Sequence, residues 1–192
     1  MLNILKQFNW LDVFILILIF RILYISIKSG LSKEFFKLLG VLSATYLSLH
    51  YFTVLSDLIC KNLPVKKMPL EFFDFLLFTV LAILGYLVFV LLRTIFNHFI
   101  KMEAVPLLEK WGGLVMGILR SFFLPSLIIF MLAISSVGYL KKSAQSSYLG
   151  KKLFDVAPDT YSWFWNSITS KFMKDEKFNN NVLNIKEGFK QE

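Results

Sequence analysis

Few residues of this chain have the means to do chemistry, and most of them sit inside or at the rim of long apolar runs. Arg120 is the sharpest case. It follows Gly113 and Gly117 in the segment GGLVMGILRS at 112–121. A charge at that depth of a membrane helix costs about 2.5 kcal/mol or more against hydrocarbon, so it must face protein, water or a partner. Helical side chains lean toward the N-terminus, which aims Arg120 at the face where Glu34 opens the second apolar run. Two readings follow: a Glu34–Arg120 ion pair inside the membrane, or an arginine that snorkels to the headgroups. Gly113 and Gly117 stand four apart, and Ser121 continues their stripe. Small residues at that spacing let a second helix approach closely, which is how helices associate when lipid supplies no hydrophobic drive. The pattern leaves open whether the partner is the second helix of the same chain or another subunit. Pro125 removes the backbone donor that would bond Ser121 and is expected to kink the helix.

A second group comprises Asp12, His50 and Asp74, all placed toward the opposite membrane face. They are either a polar site or proton relay, or helix-end residues in the wet interface. The single Cys60 and two histidines make neither a disulfide nor a metal cluster. No Ser/His/Asp arrangement, HExxH, P-loop or GxGxxG occurs. The expectation is a protein that is not an enzyme and uses no cofactor and no metal.

The elements that must position these groups are four apolar runs, about 10–27, 35–55, 72–92 and 111–140. Each is long enough to cross a bilayer core of about 30 Å as a helix. Hydrophobic residues make up 56% of the chain, above the usual 45–50% of soluble domains. The expected architecture is an all-α integral membrane protein with four transmembrane helices and a short amphipathic C-terminal helix. Residues 1–140 form the transmembrane domain and 141–192 the tail. Within the tail, Tyr161, Phe164, Trp165, Ile168 and Phe172 recur at helical spacing. The spacing predicts a helix over about 159–173, lying on the membrane surface or packed back on the bundle. From Lys174 onward, through Asn179-Asn180-Asn181, the composition predicts disorder.

The net charge is +8, which suits anionic headgroups. No basic face with interleaved aromatics is present, so nucleic acid is excluded as a partner. The partners expected are the bilayer itself and either a second copy or another membrane protein; a small-molecule substrate is not named by any motif. Basic residues divide equally between the two faces, so the positive-inside rule selects no orientation.

Three segments together carry a resemblance. Asn9-Trp10-Leu11-Asp12 opens the first run; Lys28-Ser29-Gly30-Leu31-Ser32-Lys33-Glu34-Phe35 makes a basic glycine turn that ends in an acid; and Lys110 leads to Gly113, Gly117 and Arg120. These are similar to the colicin V production protein (CvpA-like) family, bacterial inner-membrane proteins with four transmembrane helices. The likeness covers about residues 9–137, with Ser146-Ser147-Tyr148-Leu149 as a weaker match in the tail. Asp12, Gly30, Lys33 and Lys110 are the family-like positions outside the seam and the pair. The family commonly has Arg where Lys28 stands, Asp-Arg where Glu109-Lys110 stand, and Gly where Ser121 stands. The resemblance implies a multi-pass inner-membrane protein with a role in toxin production or export, envelope maintenance and biofilm formation. The alternative is a small oligomeric channel or transporter, with Arg21, Arg120 and the kink at Pro125 along a polar path.

Overall fold

A computed structural model describes residues 8–62, 69–99, 106–173 and 175–191. The expected architecture holds. Four helices are long and apolar enough to span a membrane: α1 (Trp10–Ser29), α2 (Leu31–Asn62), α3 (Leu70–Phe99) and α4 (Pro106–Ala133). Shorter helices follow, among them α5 (Gly138–Ser146), α6 (Tyr148–Leu153), α7 (Val156–Phe164) and α8 (Asn181–Gln191). A π-helical turn, Trp165–Thr169, extends α7.

Local chemistry sets the ends of α1. Asn9 accepts from the backbone N–H groups of Leu11 and Asp12, and its own N–H donates to Asp12 Oδ2 at 2.9 Å. This capping box satisfies donors that the first turn leaves orphaned. At the other end, Gly30 takes φ +81, a conformation that costs a residue with a Cβ but not glycine. The chain reverses there and α2 begins at once. Helix α2 therefore starts at Leu31 rather than near residue 35. At 32 residues α2 is about 48 Å long, longer than a bilayer core, so its ends project. Helix α4 has other bounds than expected: it starts at Pro106 and stops at Ala133, with Pro125 inside it.

Across the bundle, α1 packs on α4, α4 on α2, and α2 on α3. Glycine lets two of these contacts close. A Cβ on Gly85 of α3 would lie 2.8 Å from Ala44 Cα of α2, so only glycine fits. The rest of α3 faces outward through Leu76, Val80, Ile83, Leu84, Leu87, Val88, Leu91 and Leu92, as a lipid-bathed helix should.

The tail does not trail away. Its helices close over the end of the bundle that holds the start of α1 and the end of α4. Phe52, Phe78 and Phe130 of the spans stack into Phe154 and Phe189 of the tail, with Phe154–Phe189 centroids 3.8 Å apart. Ser126 of α4 donates to the Phe154 carbonyl and accepts from the Ala157 N–H. The expectation of disorder after Lys174 is corrected: α8 is helical, with Val182 and Phe189 buried and with Lys186 and Lys190 paired to Asp155 and Asp159 of the preceding tail. Burying an apolar side chain of this size contributes about 1.5–3 kcal/mol, which offsets the ordering of a polar segment. The amphipathic face is present but divided. Tyr161 is fully buried against the bundle, whereas Phe172 is 82% exposed.

Candidate functional site

Two polar centres lie at opposite ends of the bundle. The first gathers Glu34, Lys37 and Arg120. Glu34 sits in the first turn of α2 and is completely buried, and Arg120 is 7% exposed. Arg120 Nη2 lies 2.9 Å from Glu34 Oε2. Lys37, one turn further along α2, donates to Glu34 Oε1 at 2.6 Å and to Ser29 Oγ at 3.1 Å. The Arg120 contact is close but not aligned as a hydrogen bond: Glu34 Oε2 and Arg120 Nε have no hydrogen-bond partner. Two cations share one carboxylate, so the centre carries a net positive charge. Arg120 lies about 21 Å from the start of α4, but Gly113 already abuts Gly30 of the α1–α2 turn, so the arginine stands about 10 Å along the helix from that turn.

The glycine stripe builds the wall beside this centre. Gly113 and Gly117 are buried, and the helix they meet is α1, neither α2 nor another subunit. A Cβ on Gly113 would lie 2.8 Å from the Ser26 carbonyl oxygen, and one on Gly117 would overlap Ser26 Oγ and Cβ. Ser26 itself is fully buried and bonds its own helix at the Leu23 carbonyl. Ser121 is buried and donates to the Ile118 carbonyl. Gly30 lies 3.5 Å, at its notional Cβ, from the Glu109 carboxylate. Lys33 and Lys110 are exposed at the same end.

At the opposite end, Asp12, His50 and Asp74 do not form one cluster. Asp12 is fully buried. Its Oδ1 accepts from Ser147 Oγ at 2.6 Å and from the Leu149 N–H at 2.8 Å, while Oδ2 holds the Asn9 N–H. Ser147 Oγ in turn accepts from the Gly150 N–H and so caps α6. Asn9 Nδ2 reaches the Ser143 carbonyl, and Trp10 Nε1 reaches Ser143 Oγ. The opening of α1 and the Ser146–Leu149 stretch are thus two halves of one clasp. A buried carboxylate without a cation needs several donors to stay satisfied, and this arrangement supplies three.

His50, 4% exposed, belongs to a second fastener. Its Nδ1 lies 2.9 Å from Tyr161 Oη, and its Nε2 lies 2.8 Å from Glu176 Oε2. Tyr51 donates to the other oxygen of Glu176 at 2.8 Å. The Asn179 N–H donates to Tyr161 Oη, and Asn179 Nδ2 donates to the Leu49 carbonyl of α2. With Asn179 donating to it, the Tyr161 hydroxyl turns its own proton toward His50 Nδ1, and Nε2–H then donates to Glu176. Burial pushes the Tyr161 hydroxyl up to about 12, so it stays a donor at neutral pH. Asp74 is separate: it is partly buried at the start of α3, with Oδ1 unpartnered.

That Glu176, Tyr161 and Asn179 are the partners of α2 could not be read beforehand, because nothing at their own positions marks a residue that meets α2 across more than 100 positions. Ser147 had a signal in its likeness to the family. No group of three or more His, Cys, Asp or Glu that could hold a metal ion occurs among the described residues.

No curated protein and no solved structure matches the chain. A family model described as colicin V production protein matches residues 11–177. That span takes in Asp12 with Ser147 and Leu149, the Gly30 reversal, the glycine seam, Arg120, and His50 with Tyr161 and Glu176, and it establishes that the chain belongs to the colicin V production protein family.

Proposed function

We propose that this is a non-enzymatic inner-membrane scaffold that supports toxin production or export, and more broadly envelope homeostasis and biofilm formation, by assembling with other membrane helices. One observation carries the reading. The groups with chemical capacity are spent as fasteners: Asp12 on the tail, His50 on Tyr161 and Glu176, Glu34 on Lys37 and Arg120. What the bundle presents outward is long apolar helix surface on α1, α3 and α4. Crosslinking in native membranes, with identification of what is joined, tests this. The expected result is a defined set of membrane-protein adducts; a chain that stays monomeric at all crosslinker doses opposes it.

A channel or transporter is the second reading. It is favoured by Glu34 Oε2 and Arg120 Nε, which make no hydrogen bond in the interior, since such atoms are suited to a passing ion or water. Flux through the purified protein in liposomes, abolished by Arg120→Met, would support it.

A further inference from the structure

The outward side of α1 carries Trp10, Phe14, Ile17, Arg21, Tyr24 and Lys28, all of them exposed. Their alternating spacing of four and three is the one with which two helices pack along each other. Spacing alone would say nothing, since α3 shows a similar stripe and its Leu, Val and Ile side chains need only lipid. Arg21 separates the two faces. It is the twelfth of 20 residues in α1, about 12 Å short of the nearer end at Ser29. Its Cβ leans toward the N-terminus, away from that end. None of the ion pairs among the described residues includes it. Arg93, by contrast, is partly buried and within about 9 Å of the end of α3, where a long side chain reaches the headgroups. A charge at mid-span normally faces protein or water and has a partner.

We propose that this face of α1 docks a membrane-spanning helix of another protein that carries a carboxylate near the middle of the bilayer. The proposal rests on the assembly reading above and names the chemistry of the partner. A second copy of this chain does not fit. A two-fold assembly within one membrane brings equal depths together and would set Arg21 against Arg21. No acid of the four spans is available to it at that depth. Asp12 and Glu34 are fully buried, and Asp57, Glu71, Asp74 and Glu109 lie within two turns of their helix ends. Lipid phosphate fits less well, because the nearer end of α1 is about 12 Å along the helix from Arg21 and the side chain leans away from that end.

The full-length protein in phosphatidylcholine vesicles, labelled at its one cysteine, Cys60, provides the test. The probes are two Leu-based transmembrane peptides that carry an acceptor dye and differ only in one central residue, Glu or Leu. The Glu peptide should associate roughly tenfold more strongly than the Leu peptide, in line with a polar contact between membrane helices. Arg21→Leu should abolish the difference. Arg21→Glu should transfer the preference to a peptide with a central Lys, an outcome that loss of folding cannot mimic. Equal transfer to Glu and Leu peptides overturns the proposal, as does a preference that survives Arg21→Leu; either would leave Arg21 to lipid or to a second copy. If native-membrane adducts persist in that case, only this docking face falls. A monomer that conducts ions would instead remove the assembly reading beneath it.

Discussion

Removing Glu34 should destabilise the protein more than removing Arg120, and the structure says why. Glu34 is 0% exposed and meets two cations, Lys37 at 2.6 Å and Arg120 at 2.9 Å. Arg120→Gln leaves Glu34 with Lys37 still in place, so the carboxylate remains paired. The loss is then one misaligned charge contact, about 1–2 kcal/mol. Glu34→Gln leaves both Arg120 and Lys37 without their counter-charge. Stripping a partner from a truly buried pair costs about 3–5 kcal/mol, and here two cations are stranded at once, although Lys37 at 15% exposure can turn partly outward. At about 2–4 °C per kcal/mol for a chain of this size, the melting midpoint in detergent should fall by about 2–8 °C for Arg120→Gln and about 6–20 °C for Glu34→Gln. The reversed pair, Glu34→Arg with Arg120→Glu, should recover only part of the loss, because Lys37 then faces a second cation. Adding Lys37→Ala to the reversed pair should raise recovery further. Thermal scans followed by size exclusion read all four variants. A Glu34→Gln midpoint equal to that of Arg120→Gln would refute the shared-carboxylate argument, and two variants at the parent value would refute the pair altogether.

Gly117→Ala should disrupt the α1–α4 seam, since even one carbon overlaps Ser26, whereas Val115→Leu on the lipid side should leave the midpoint within about 1 °C. Asp12→Ala should speed amide exchange at Leu149 and raise proteolysis between α5 and α6 while the spans stay protected, because it removes the carboxylate that accepts from Ser147 Oγ and from the Leu149 and Asn9 N–H groups; unchanged protection would mean the clasp does not hold the tail. Tyr161→Phe strands His50 Nδ1 and the Asn179 N–H, a loss of about 1–3 kcal/mol, which a denaturant titration of the tail should report. The tail should also loosen at high pH. The Tyr161 hydroxyl is raised from its ordinary 10 to about 12, so the stability it contributes is complete below pH 10 and is lost as pH rises through 12. A tail that melts no earlier at pH 12 than at pH 9 would count against that.

Composition and run length were enough for the membrane, the four spans and the short amphipathic helix, because burial in lipid demands unbroken apolar stretches and this requirement acts locally. The glycine stripe and Arg120 were legible for the same reason: a small residue or a charge is conspicuous inside such a run. Which surfaces meet was not legible. Gly117 reads as a packing face, but only the antiparallel placement of α1 makes Ser26 its neighbour. Disorder was the natural reading of the Asn-rich end, and it failed because Val182 and Phe189 are buried, Phe189 stacks on Phe154, and Lys186 and Lys190 pair with Asp155 and Asp159. Asp12 and His50 looked like wet helix ends; the tail folds over them and dries them. Spans follow from the one-dimensional pattern because each helix satisfies its own backbone. The partners of Asp12, His50 and Glu34 follow only from the tertiary structure, because a buried polar group is satisfied by whatever the fold brings within 3 Å of it.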